Sequence, residues 1–183
     1  NRDAEIESPV IANDLSNQKV TAIAEDTQGH IWIGTFRGLN KNNVHDYHQY
    51  FCTDDSLGLP DNQITHLLRD SKNRFWVGTV NGVCLYTDKD NFRIIPIEAD
   101  NKNVRQILED RNGRIFLNTG FQLYAYHPRE EKITCVLPEI SPGNAFYAQC
   151  HIAPDNNLWV MTSTGLRCYD PSTLQLKESV ALS

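Results

Sequence analysis

One feature constrains the fold of this chain more than any other: a sixteen-residue pattern that recurs along it. Val20-Thr-Ala-Ile-Ala-Glu-Asp-Thr-Gln-Gly-His-Ile-Trp-Ile-Gly-Thr35 returns at 64–79, again at 104–119 and, in altered form, at 147–162. The anchor aromatics Trp32, Trp76, Phe116 and Trp159 are spaced 44, 40 and 43 residues apart. A period of about 40–45 residues with strand-like content marks propeller blades of four strands each. Helical repeats of that length require a sustained 3.6-residue apolar period, and none is present.

Each copy reads as strands and turns. Val20, Ala22 and Ala24 alternate with Thr21, Ile23 and Glu25, a two-residue period for one strand. Residues 25–29 then form a tight turn with Asp26 at its start and Gly29 at its positive-φ exit. Asn73 and Gly113 take the Gly29 place in the next two copies, and both tolerate the left-handed region. The segment 30–34 is nearly continuous in apolar residues, as a strand covered on both faces requires. Gly38, Gly82 and Gly165 open a third strand. A more polar fourth strand, at 47–51, 92–95, 132–136 and 175–179, suits a solvent-facing edge. The expected fold is all-β: four four-stranded antiparallel blades, at about 18–55, 61–99, 103–140 and 145–183, forming one partial propeller domain over 1–183. Residues 1–17 lie outside the copies, and 6–11 are expected to add an outer strand to a closing blade.

Composition narrows the function classes. The net charge is −6 and the basic residues are scattered, which argues against nucleic acid as a partner. No stretch approaches the roughly 18–20 apolar residues of a membrane span. Residues 1–14 are polar and acidic, unlike a signal peptide. The five cysteines, Cys52, Cys84, Cys135, Cys150 and Cys168, show no Cys-x-x-Cys pair. They read mostly as small buried apolar groups, with no support for a disulfide.

The motif carried by residues 20–39, Val-x-x-Ile-x-Glu-Asp-x-x-Gly-x-Ile-Trp-Ile-Gly-Thr-x-x-Gly-Leu, resembles the two-component regulator propeller repeat. The second copy matches as well. The third replaces Trp by Phe116 and Gly by Asn118. The fourth has Ala153 at the Asp position and Asn156 at the Gly position. The resemblance implies the periplasmic sensor region of a hybrid two-component receptor from polysaccharide-degrading gut bacteria. Such receptors are membrane-anchored, combine propellers with kinase and regulator parts absent from this chain, and typically sense glycan-derived oligosaccharides. Their propellers have more than four blades. An open arc of four leaves two apolar blade faces bare, to be covered by further blades or a second chain.

Candidate chemistry is sparse. The anchor aromatics read as interblade core, since equivalent positions of a repeat fill equivalent core sites. Asp26, Asp70 and Asp110 read as turn caps, not acids or calcium ligands. His45 and His48 on one strand point to opposite faces, which speaks against a metal pair. No nucleophile elbow, zinc motif or phosphate loop is present, so no catalytic residue, metal or cofactor is expected. The loops joining the second and third strands, and those leading into each blade, share one face around the channel. Their varied polar and aromatic groups, Phe36, Arg37, Asn62, Asn81, Phe121 and Tyr147, are the expected ligand-binding set, and such a mixture suits a sugar. Two other readings stand beside this one. One is a structural or dimerisation scaffold without its own ligand. The other is a propeller enzyme, for which His151 with Arg37 is the nearest convergent pair.

Overall fold

The structure, a computed structural model, describes residues 15–42, 47–52, 58–88, 90–141 and 147–181. The expected outer strand at 6–11 and His45 lie outside these. The first sheet contains β1 (Val20–Glu25), β2 (Ile31–Thr35), β3 (Gly38–Asn42) and β4 (Tyr47–Tyr50). The second contains β5 (Ile64–Arg69), β6 (Phe75–Thr79), β7 (Gly82–Tyr86) and β8 (Phe92–Ile95). The third contains β9 (Gln106–Glu109), β10 (Ile115–Asn118), β11 (Leu123–His127) and β12 (Lys132–Leu137). The fourth contains β13 (Gln149–Ile152), β14 (Leu158–Thr162), β15 (Gly165–Tyr169) and β16 (Leu176–Ala181). Every sheet is an antiparallel meander in chain order. This is the all-β blade architecture expected from the repeat. Among the described residues no helix is long and apolar enough to cross a membrane.

The turn between the first two strands of each blade is built the same way four times. Its backbone closes with the amides of Asp26, Asp70, Asp110 and Ala153 donating to the carbonyls of His30, Arg74, Arg114 and Asn157. The exit residues Gly29, Asn73, Gly113 and Asn156 have φ of 82°, 61°, 73° and 67°. Those are the places where glycine or asparagine costs least. In the first three blades the Asp carboxylate gathers donors around this turn. Asp70 accepts from the amides of Lys72 and Arg74, from Arg74 Nε at 2.6 Å and from Trp76 Nε1 at 2.8 Å. Asp26 does the same with Gln28, His30 and Trp32. Burial pushes the Asp26 carboxyl up, but the bonds from Trp32, His30 and the turn amides outweigh it and hold the group below the usual range. Asp110 has no indole partner, because Phe116 stands there; both Arg114 Nε and Nη2 reach it instead. The fourth blade has Trp159 but Ala153, so this pairing is absent from it.

The first three anchor aromatics each face the next blade. Trp32 packs with Leu67, Phe75, Val77 and Phe92 of the second blade. Trp76 packs with Ile107, Ile115, Tyr126 and Ile133 of the third. Phe116 packs with Cys150, Leu158 and Val160 of the fourth. These three interfaces are the core, and Trp32, Trp76 and Phe116 are fully buried in it. Two residues past the aromatic, the same face must admit the oncoming blade. A Cβ on Gly34 would lie 2.5 Å from Ile64 Cγ2, and one on Gly78 would lie 3.1 Å from Val104 Cγ1. Asn118, at the same place in the third blade, donates from Nδ2 to the Ala148 carbonyl at 2.9 Å. Met161, its counterpart in the fourth, is 53% exposed.

Among the described residues, both outer faces of the arc expose apolar side chains. Val20, Ile23 and Ile31 are 51%, 69% and 36% exposed. Their repeat equivalents Ile64, Leu67 and Phe75 are buried in the first interface, and Val104, Ile107 and Ile115 in the second. At the far end Trp159 is only half-buried, beside exposed Met161 and Val180. Among the described residues both outer faces therefore present exposed apolar side chains, as expected. Cys84, Cys150 and Cys168 are buried, and Cys52 and Cys135 are exposed.

Equivalent sequence positions thus carry unequal loads. Trp76→Ala is expected to cost about 3–5 kcal/mol in urea unfolding, a core truncation of the usual size. Trp159→Ala, at the uncovered face, is expected to cost less than about 1 kcal/mol. Gly34→Ala should destabilise by about 1–3 kcal/mol, because the added methyl overlaps a branched neighbour in a packed interface. His66 on β5 is half-buried, and burial pushes its imidazole below the ordinary histidine value. The unfolded chain therefore binds a proton that the folded chain does not. Stability is full above about pH 6.5 and falls as the pH drops towards the lowered value. Melting temperature measured from pH 7.5 to 5 should decline, and His66→Gln should flatten that decline.

Candidate functional site

The loops after the second strand of each blade owe their shape to a threonine. Thr35, Thr79 and Thr162 each donate from Oγ1 to the carbonyl three residues on, at Gly38, Gly82 and Gly165. The same hydroxyls accept the amides of Arg37, Asn81 and Thr164. Each loop is then tied to the segment leading into the following blade. Gly38 N donates to Asn62 O, Val104 N to Thr79 O, and Ala148 N to Gly120 O. The two loop sets expected to share a face do so.

A groove of about 260 Å³ opens on that face, lined by Thr21, Phe36, Gln63, Ile64, Thr65, Val80, Asn103, Arg105 and Gln149. Its walls come from the innermost strands β1, β5 and β13 and from the segment just before β9, so all four blades border it. Among the described residues no carboxylate lines it. Lys19 Nζ sits 3.8 Å from the Phe36 ring centroid, and the Arg105 guanidinium lies 3.2 Å from the Tyr147 centroid. Tyr147 in turn packs on Phe121 with centroids 5.0 Å apart. Among the described residues, two buried side-chain atoms lack a hydrogen-bond partner: Asn103 Oδ1 and Arg105 Nε. Both belong to residues lining this groove.

Of the six expected binding residues, Phe36 lines the groove, and Tyr147 and Phe121 adjoin it through Arg105. Arg37, Asn62 and Asn81 are exposed and do not line it. The Asn62 side chain is engaged elsewhere, its Oδ1 accepting the Cys52 amide at 2.6 Å. Lys19, Asn103 and Arg105 carry polar chemistry here that loop reading alone does not single out. A signal for one of them was present. Thr21, Thr65 and Arg105 occupy the second position of successive sixteen-residue copies, and all three line the groove.

A second cavity of about 330 Å³ lies at the opposite end, between the first two blades, lined by Asp26, Lys41, Arg69, Phe75, Tyr86, Asp88 and Asp90 among others. Its charges largely satisfy one another. Lys41 Nζ donates to Tyr86 OH at 3.0 Å, and both Tyr50 OH and Tyr86 OH donate to Asp90 Oδ1. The Tyr50 hydrogen bond is the main cause holding the Asp90 carboxyl below its usual range; burial opposes it, and Tyr86 and Lys41 reinforce it. The same contact, after burial, pushes the Tyr50 phenol up. Arg69 Nη1 donates to the Asp26 carbonyl. His151 lies on β13 opposite Trp159 in register and is exposed. His48 on β4 stacks near Tyr50, its ring 6.3 Å away. Among the described residues no three His, Cys, Asp or Glu side chains are grouped to hold a metal.

Comparison with known proteins bears on the repeat and the fold. The two component regulator propeller family matches residues 14–37 and 58–81, the first two copies. No curated protein matches the chain. Among solved structures, the extracellular domain of the putative hybrid two component system BT4673 from B. thetaiotaomicron superposes with a TM-score of 0.74 at 23% identity. That likeness covers 91% of this chain but only 22% of the other, so the chain spans about a fifth of that length. Virginiamycin B lyase from Staphylococcus aureus superposes at 0.70 with 18% identity, over 92% of this chain and 58% of the enzyme. PorZ, a surface component of the type-IX secretion system of Porphyromonas gingivalis, superposes at 0.62 with 16% identity, over 88% and 27%. At these identities the likeness is one of fold. The chain carries the two component regulator propeller repeat, and its four sheets are successive blades of a β-propeller.

Proposed function

We propose that this chain is a non-catalytic sensing module from the extracytoplasmic, periplasmic part of a membrane-anchored hybrid two-component receptor, and that it binds a glycan-derived oligosaccharide at the groove on the loop face. The observation carrying this reading is the groove itself. Polar atoms without protein partners sit beside Phe36 and the Phe121–Tyr147 pair. Flat apolar surfaces next to unpaired donors and acceptors are what a sugar ring with its hydroxyls requires. The family repeat and the likeness to the extracellular domain of a hybrid two component system support the receptor context. The likeness to virginiamycin B lyase raises an enzymatic reading, but at 18% identity that likeness is one of fold.

A scaffold reading is favoured by a different observation, the two bare apolar faces. Val20, Ile23 and Ile31 at one end present what the buried Trp32 and Trp76 pack against elsewhere, and Trp159 at the other end is only half-buried, beside exposed Met161. On either reading these faces take further blades or a second chain.

Thermal unfolding of this chain against a panel of plant and host oligosaccharides separates the two. A ligand present at a hundred times its Kd adds about 2.7 kcal/mol of stability. The expected result is a reproducible upward shift, lost in Phe36→Ala and in Phe121→Ala. No shift with any saccharide, together with concentration-dependent association in sedimentation that Ile23→Lys abolishes, would instead establish the scaffold.

A further inference from the structure

Resting on the oligosaccharide reading of the loop-face groove, we infer that its ligand carries an anionic substituent, a carboxylate or a sulfate, and that Arg105 is the residue that receives it. The protein as a whole is acidic, with a net charge of −6, yet this groove reverses that sign. Among the described residues its lining contains Arg105 and no Asp or Glu, and Lys19 stands over Phe36 at its border. The second cavity shows how this chain ordinarily handles buried charge. There Lys41 is matched by Asp90, and elsewhere Arg74 and Arg114 are matched by Asp70 and Asp110. Among the described residues no carboxylate pairs with Arg105.

Arg105 is also pre-positioned. Its amide donates to the Asn118 carbonyl at 2.8 Å, which fixes the backbone just before β9. Its guanidinium is held over the Tyr147 ring, and its Nε is buried without a partner. Gly120 makes room for this arrangement, since a Cβ there would lie 2.5 Å from Tyr147 Cδ1 and 3.0 Å from Arg105 Cδ. A buried, unpaired N–H on a permanent cation is costly to leave unmet. A planar guanidinium matches a carboxylate or sulfate with paired, charge-assisted hydrogen bonds. Asn103 Oδ1, the other buried atom without a partner, belongs to a residue lining the same groove. The aromatic ring beneath holds the cation in place by cation–π attraction without neutralising it.

Calorimetric titration of this chain with matched pairs tests the inference and separates its two sources. One pair is trigalacturonate and its carboxyl-reduced trisaccharide. The other is a 6-O-sulfated galacto-oligosaccharide and its unsulfated form. The expected result is that at least one acidic probe binds about tenfold or more tightly than its neutral partner. Arg105→Gln should remove that preference, while Arg105→Lys retains part of it. Raising the salt from about 50 to 500 mM should weaken only the acidic probe, as screening demands; this arm uses the unaltered chain, so it decides even where Arg105→Gln does not fold. Equal affinity for acidic and neutral partners would overturn the anionic inference and leave the oligosaccharide reading standing. Failure of all four probes to bind would overturn both.

Discussion

The arrangement depends on one contact repeated between blades: the aromatic side chain of one sheet seated on the apolar face of the next. In the first two blades a buried carboxylate takes the indole N–H, so the ring is anchored at its polar end while its body packs forward. Burying Trp32 or Trp76 would otherwise strand a donor in the core. The same Asp closes the turn that starts the strand bearing that aromatic. Local turn geometry and long-range packing are therefore coupled through one side chain. Where the coupling lapses, the two ends lapse separately: Asp110 keeps its turn without an indole, and Trp159 keeps its ring without an acid.

This contact also dictates composition along the rest of each strand. A blade that receives an indole needs branched and aromatic residues on its leading face, and the second and third blades have them. A blade that must be approached closely needs glycine two residues past its aromatic, and Gly34 and Gly78 provide it. The first blade keeps the receiving residues and the fourth keeps the presenting ones, so the outer faces of the arc are complementary in kind to the interfaces inside it.

The two ends of the arc differ because the loops differ in how they spend their polar groups. At the turn end, carboxylates, tyrosines and cations bond to one another. At the loop end, threonine hydroxyls hold the backbone, and Arg105 and Asn103 remain uncommitted. A module that reads a ligand needs rigid support and unspent donors together, and only the loop end combines them.

Much of this was legible in the sequence. The spacing of Trp32, Trp76, Phe116 and Trp159 specified the blades, and the Asp and Gly or Asn pairs specified the turns with their positive φ. Alternation and turn chemistry are local, so a few residues suffice to fix them. The binding groove was legible only in part. Phe36, Phe121 and Tyr147 were expected at the site, whereas Arg37, Asn62 and Asn81 stand apart from the groove. Lys19, Asn103 and Arg105 emerged from the coordinates. The reason is physical: whether a side chain is paired or unpaired depends on residues about one repeat away, brought close by the packing of one blade on the next. The repeat could therefore name the strand and the loop on which each group lies. Only the tertiary structure decided which charges cancel, which blade faces are covered, and where an arginine is left to meet something from outside.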